Sequence, residues 1–263
     1  MTLTLTASAA AIRLSPIEVL ACWEALDLGD PPFLLRLRRP GGTEAAQLES
    51  RRRLAAALAG LAGRGLSDGV SPAPALAGPL RLLAGADYLL DIRFTGPAGR
   101  AILGLGAIAG ARGAAVVSND GLGPMDLVPV DGARVASTLI GLLGSVEPGT
   151  GLPVNLPAAV FDEACAAARD GNLWTLADEL QVRGVPRREA TSLARMCGGV
   201  DFGGQLGVTT RFDGPERRGP WVVGFVRGGG RYFLQLRRDD TVTVCPTDSN
   251  RLVSHWRELL EHC

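Results

Sequence analysis

The stretch "WVVGFVRGGGRYFLQL" (residues 221–236) decides how the chain is to be read. Three consecutive glycines between arginines suit a phosphate cradle, an arginine–glycine element for nucleic acid, or a tight turn. A phosphate loop needs a strand, the loop, and then a helix whose N-terminal N–H groups face the anion. Here "WVVGFV" precedes the glycines and "RYFLQL" follows them, both of strand composition, so no helix dipole is on offer. Arginine–glycine elements for nucleic acid are repeated and disordered, whereas this one occurs once, between strands. A hairpin turn remains, with glycine accepting the positive φ that such turns require.

Around this hairpin the second half reads as three helices, "LPAAVFDEACAAARDG" (156–171), "NLWTLADELQVRG" (172–184) and "PRREATSLARMCGG" (186–199). The strands "GGQLGVTTRF", "WVVGFV", "RYFLQL" and "TVTVCP" follow, then the helix "NRLVSHWRELLEHC". The first half opens with a helix capped by Ser15 and started by Pro16, its stripe being Val19, Leu20, Trp23 and Leu26. A short strand "LLRLRR" (34–39) and a helix over 43–65, capped by threonine, come next. "SPAPALAGP" (71–79), with three prolines, reads as a loop. "LRLLA", "YLLDIRF", "AILGLGAIA", "GAAVVS" and "MDLVPVD" then read as strands, with a turn at "TGPAGR", and "GARVASTLIGLLG" (132–144) as a helix.

The two halves match. "IRFTGP" begins at Ile92 and "TRFDGP" at Thr210, 118 residues on; Pro129 falls on Pro246 and Asp131 on Asp248, both 117 residues on. Arg134 falls on Arg251 at the same offset, and "IAGARGAAV" occupies the place of "FVRGGGRYF". These matches predict an α+β protein with a largely antiparallel sheet and an internal quasi-twofold repeat, its halves being 1–150 and 151–263 of a single domain.

Composition sets the bounds on function. The 27 basic and 27 acidic residues balance, so no overall field draws the chain to nucleic acid or anionic lipid. Every basic residue is arginine, which excludes Schiff-base lysine chemistry and a P-loop lysine. Five scattered cysteines without CxxC spacing fit a reducing compartment. The opening residues lack the basic region of a signal peptide, and the most apolar run (101–117) is short and interrupted by Arg112, so neither export nor membrane insertion is expected. His255 and His262 sit in and after the last helix without a partner acid or nucleophile in the pattern, and no zinc-ligand spacing occurs. "GLGAIAG" (104–110) lacks the βαβ context of a dinucleotide fingerprint, and "RDGN" (169–172) and "RRDD" (237–240) read as a helix end and a hairpin turn. No catalytic residue, cofactor or metal is expected.

Taken in order and spacing, "VLACWEALDLGDPPF" (19–33), "GGQLGV" (203–208), "WVVGFVRGGGRYFLQL" and "VTVCPTDSNRLVSHWRELL" (242–260) resemble the EspG family, chaperones of actinobacterial type VII (ESX) secretion systems. The resemblance implies a central sheet flanked by two helical bundles. It also implies a cytoplasmic protein, monomeric or homodimeric, that binds the apolar tip of a helical PE–PPE-like substrate and keeps it soluble. In that family the second half supplies most of the partner surface. Carried onto this chain, that points to Gln205, Arg211, Trp221, Val223 and Phe225 on the strands and to Leu173, Trp174 and Leu176 on a helix. Two other readings stand beside it: an enzyme with a small-molecule pocket between the halves, and a homodimeric scaffold joined through a sheet edge.

Overall fold

The structure is a computed structural model and describes residues 11–37, 43–95, 99, 101–119, 123–168, 172–211 and 216–263. Outside these lie the "TGPAGR" turn but for Thr95 and Gly99, the ends of the "IRFTGP" and "TRFDGP" anchors, residues 38–39 of "LLRLRR", and residues 169–171 of "RDGN". Among the described residues, eleven strands and eight α-helices form an α+β fold with a largely antiparallel sheet. The chain divides into two compact units, the first being residues 1–91, 100–142 and 210–216 and the second residues 92–99, 143–209 and 217–263.

The first unit begins with β1 (Ile12–Leu14), then α1 (Pro16–Ala25), α2 (Glu44–Ala62) and α3 (Pro74–Gly85). Ser15 caps α1 in a capping box: its hydroxyl accepts from the Glu18 N–H while the Glu18 carboxylate accepts from the Ser15 N–H. The strands β2 (Tyr88–Thr95, of which residues 88–91 fall in this unit), β3 (Ala101–Ala109), β4 (Arg112–Asn119) and β5 (Met125–Asp131) follow, then α4 (Val135–Ile140). β3, β4 and β5 pair antiparallel in sequence, and β1 returns to pair with β5, Ile12 opposite Leu127. Leu105, Ala107, Ala114 and Val116 share one face of these strands and join α1–α3 in a single apolar core. The opposite face meets α4. A Cβ at Gly106 or Gly113 would stand 2.2 or 2.4 Å from Val135, so these strand glycines let the helix lie directly on the sheet.

The second unit has a similar order of elements, with one further short strand. It has β6 (Val154–Pro157), then α5 (Ala158–Ala167), α6 (Leu173–Val182) and α7 (Arg187–Cys197), then β7 (Val200–Thr210), β8 (Arg217–Arg218), β9 (Val223–Gly228), β10 (Arg231–Arg238) and β11 (Thr241–Pro246), and last α8 (Ser249–Glu261). β7 pairs with β9, β9 with β10 and β10 with β11, and β6 returns to β11, Val154 opposite Val244. Val226, Phe233, Val242, Val244 and Val154 share the face that meets α5–α7. In each unit an edge strand and three helices thus precede the strands, and a helix closes the unit.

The glycine run is the β9–β10 turn, with Gly228 opposite Arg231 and both Gly229 (φ +56°) and Gly230 (φ +78°) left-handed, as the sequence predicts. "RRDD" is likewise the β10–β11 turn, with Arg238 opposite Thr241.

Four features differ from the sequence reading. "SPAPALAGP" and "LRLLA" together form the helix α3: Pro74 sits at its first position, where its missing N–H costs nothing, and Leu76, Ala77, Leu80 and Leu83 are buried at helical spacing. "LLRLRR" is no strand over its described part, where Phe33–Leu35 form one 3-10 turn. The helix over 132–144 breaks into 3-10 turns on either side of α4, with Gly132 and Gly141 at the breaks. The edge strands β1 and β6 have no counterpart in the sequence reading.

Candidate partner-binding surface

Alternation along β9 divides the expected strand residues between two environments. Val223 is fully buried and Phe225 is 1% exposed. Phe225 belongs to an aromatic cluster in which Phe202 stands 5.2 Å from Phe94, 6.0 Å from Phe225 and 6.1 Å from Tyr232, ring centre to ring centre. Such pairs add to apolar burial. The Arg227 guanidinium covers the outer side of Phe202 at 5.0 Å and is held by Asp201. That hydrogen bond keeps the Asp201 carboxyl below its ordinary pKa. "GGQLG" is shaped by the same cluster: a Cβ at Gly204 would come within 2.5 Å of the Phe225 ring and 2.6 Å of the Arg93 carbonyl. Val223 and Phe225 are therefore core, and the partner surface expected of them is not accessible.

The other face of β9 carries Gly224 and Val226, with Val222 just before the strand. Val226 packs under α5–α7. Beyond the helices a row of paired residues crosses the sheet, Gln205 opposite Gly224 and Gly224 opposite Gln235. All three are half-buried, and Val222 beside them is 36% exposed. A side chain at Gly224 would press on the Gln235 carbonyl at 2.8 Å, so this strip stays flat. Gln205 lies on this partly open strip.

Trp221 precedes β9 in a polar setting. Its ring packs tilted against His262 at 5.1 Å and lies under the Arg238 guanidinium at 4.6 Å. Its indole Nε1 is buried with no hydrogen-bond partner among the described residues. Arg238 donates to Glu258, as His255 can. Burial opposes the Glu258 charge, but these two hydrogen bonds outweigh it and lower the carboxyl below its ordinary 4.5. Arg211 is spent internally: it pairs with Glu216 and donates to the carbonyls of Leu83 and Ala84 at the end of α3.

On α6 the three expected residues also separate. Asn172 caps the helix through the Trp174 N–H. Leu176 is 8% exposed and joins the α5–α7 core. Leu173 is 38% and Trp174 69% exposed, an unusual display for side chains of that size. Leu173 covers Gly198, where an added Cβ would stand 1.5 Å from its Cδ2, and Gly198 in turn borders Gly228 next to the β9–β10 turn. Val200, 43% exposed, follows two residues later. Exposed apolar side chains thus gather where α6 begins, α7 ends and β7 starts. Val200 is absent from the sequence reading, since its position at the mouth of a strand gives no periodic signal.

The remaining chemistry is sparse. The five cysteines are free, and burial pushes the Cys197 thiol up to about 12. Among the described residues no group of three or more His, Cys, Asp or Glu could hold a metal, and no helix is long and apolar enough to cross a membrane.

A profile of the EspG family matches residues 15–258. Fourteen chains of solved structures are similar. One is the Mycobacterium tuberculosis type VII secretion system chaperone EspG5, solved in complex with the PE25–PPE41 dimer: 14% identity, TM-score 0.72, with 96% of each chain covered. No curated protein gives a significant match.

Proposed function

The chain belongs to the EspG family, and from that premise we propose that it is a type VII secretion chaperone. It binds the apolar tip of a helical-hairpin substrate of PE–PPE type in the cytoplasm and holds it soluble for secretion. A binding role, not catalysis, follows from this membership. One observation carries the reading: Leu173, Trp174 and Val200 stand exposed together where α6 begins and β7 starts. An apolar helix tip left in water is an aggregation hazard, and a group of protruding apolar side chains can cover it with a few anchors. The partner surface we propose comprises Leu173, Trp174 and Val200, with Gln205 farther along β7 and Trp221 just ahead of β9. Val223, Phe225 and Leu176 support it from the core, and Arg211 braces α3.

The test is co-expression with a PE–PPE pair from the same genome, followed by size-exclusion chromatography. A stable one-to-one complex is expected. If the chain elutes alone with every such pair of its genome while each pair is itself soluble, the reading fails. Light scattering of the free chain over a concentration series decides between monomer and homodimer.

A further inference from the structure

Within the second unit, α7 presents a second surface of different chemistry. Arg187, Arg188, Thr191, Ser192 and Arg195 line a cleft of about 780 Å³ together with the loop Thr150–Leu152. The loop is fixed to the helix: the Leu152 N–H donates to Ser192 Oγ at 2.8 Å, and that hydroxyl donates back to the Leu152 carbonyl at 3.3 Å. The three arginines are exposed and make no ion pair among the described residues. This contrasts with Arg183 one turn before the helix, which is paired to both Glu163 and Glu179. α7 also starts at Pro186 without a side-chain cap, so the N–H groups of its first turn add positive character at the same end. Glu189 is the acidic residue of that turn and does not line the cleft.

The spacing names the ligand. Arg187 and Arg188 stand seven or eight residues before Arg195, which at 1.5 Å per residue is about 10–12 Å along the axis. A liquid-water share of roughly 30 Å³ means that the cleft has room for on the order of twenty-five waters, far more than one phosphate needs. Carboxylates two turns apart on a partner helix have the same separation, and guanidinium groups meet carboxylates with paired donors. We propose that the arginine cleft of α7 docks an acidic helical segment of a protein partner, with Arg187 and Arg188 on one carboxylate and Arg195 on another two turns away. The proposal does not rest on the chaperone reading, because it concerns charge on α7 and not the apolar side chains at the start of α6.

The test uses the full chain and a fluorescein-labelled, alanine-rich helical peptide of twenty residues with glutamate at every fourth position. Fluorescence anisotropy at about 50 mM salt is compared with a peptide carrying glutamine instead. The glutamate peptide is expected to bind at least tenfold tighter. The variant Arg187→Glu/Arg188→Glu/Arg195→Glu, checked for folding by circular dichroism, is expected to lose that advantage. The variant Arg51→Glu/Arg52→Glu/Arg53→Glu on exposed α2 is expected to keep it, as is Trp174→Ala. Equal loss in both triple variants, no preference for glutamate over glutamine, or displacement of the peptide by equimolar inorganic phosphate or single-stranded DNA would each overturn the proposal. Failure of the Trp174→Ala chain to bind a PE–PPE pair while still binding the peptide leaves this proposal standing.

Discussion

Replacing Trp174 by alanine removes the most exposed aromatic side chain of the proposed partner surface. An aromatic side chain loses roughly 150–250 Å² of accessible surface when fully covered. Trp174 is 69% exposed, so about 100–170 Å² is left for a partner to bury. At roughly 25 cal/mol per Å² this is worth about 2.5–4 kcal/mol, the range of an interface hot spot. With 1.4 kcal/mol per tenfold, Trp174→Ala should weaken substrate binding roughly 50- to 1,000-fold. The same exposure says that folding gains little from the ring, so stability should change by no more than about 0.5 kcal/mol. Isothermal titration with a PE–PPE pair, alongside urea unfolding of the free chain, reads both numbers. An affinity within about threefold of the parent refutes the placement of the surface. A loss of stability of about 2 kcal/mol or more refutes the claim that the ring is free of the core.

Phe225→Ala should behave in the opposite sense: buried in the aromatic cluster, it should cost about 3–5 kcal/mol in urea unfolding and leave the affinity of the folded fraction unchanged. Gly230→Val meets no atom within 4 Å but must adopt φ +78°, so a loss of about 1–2 kcal/mol is expected from backbone strain alone, read as a lower urea midpoint with an unaltered slope. For Glu258, whose folded pKa lies below its ordinary 4.5, the carboxylate's contribution is complete above pH about 4.5 and is lost as pH falls through the folded value. Unfolding free energy should therefore drop less steeply below about pH 4.5 in Glu258→Gln than in the parent chain, and parallel curves would refute the assignment.

How far the sequence carries depends on the element. The capped helix at Ser15 and the glycine hairpin are legible because each rests on local chemistry: a capping box, and two residues that must take positive φ. α3 is not, because Pro74 and Pro79 mask an apolar spacing that the tertiary core rewards. The edge strands β1 and β6 are three and four residues long and owe their existence to partners 115 and 90 residues away at their paired positions Ile12–Leu127 and Val154–Val244. No local pattern announces them. For the partner surface, alternation shows that Val223 and Phe225 share a face but not which face is covered. Only the aromatic cluster of Phe94, Phe202 and Tyr232 around Phe225, on the face opposite the one that α5–α7 cover, decides that.

Those long separations also bear on how the chain is made. In each unit the strand that leaves the ribosome first is the one that must be placed last, since β1 cannot close on β5, nor β6 on β11, until the intervening helices and strands exist. Closing so long a loop costs entropy that is recovered only when the waiting edge of β5 or β11 is already straight and fixed. During synthesis each unit therefore carries an unpaired strand for the time it takes to translate about a hundred residues. A protein proposed to shield apolar surfaces of others must first pass through a stage in which its own β1 and β6 stand unpaired.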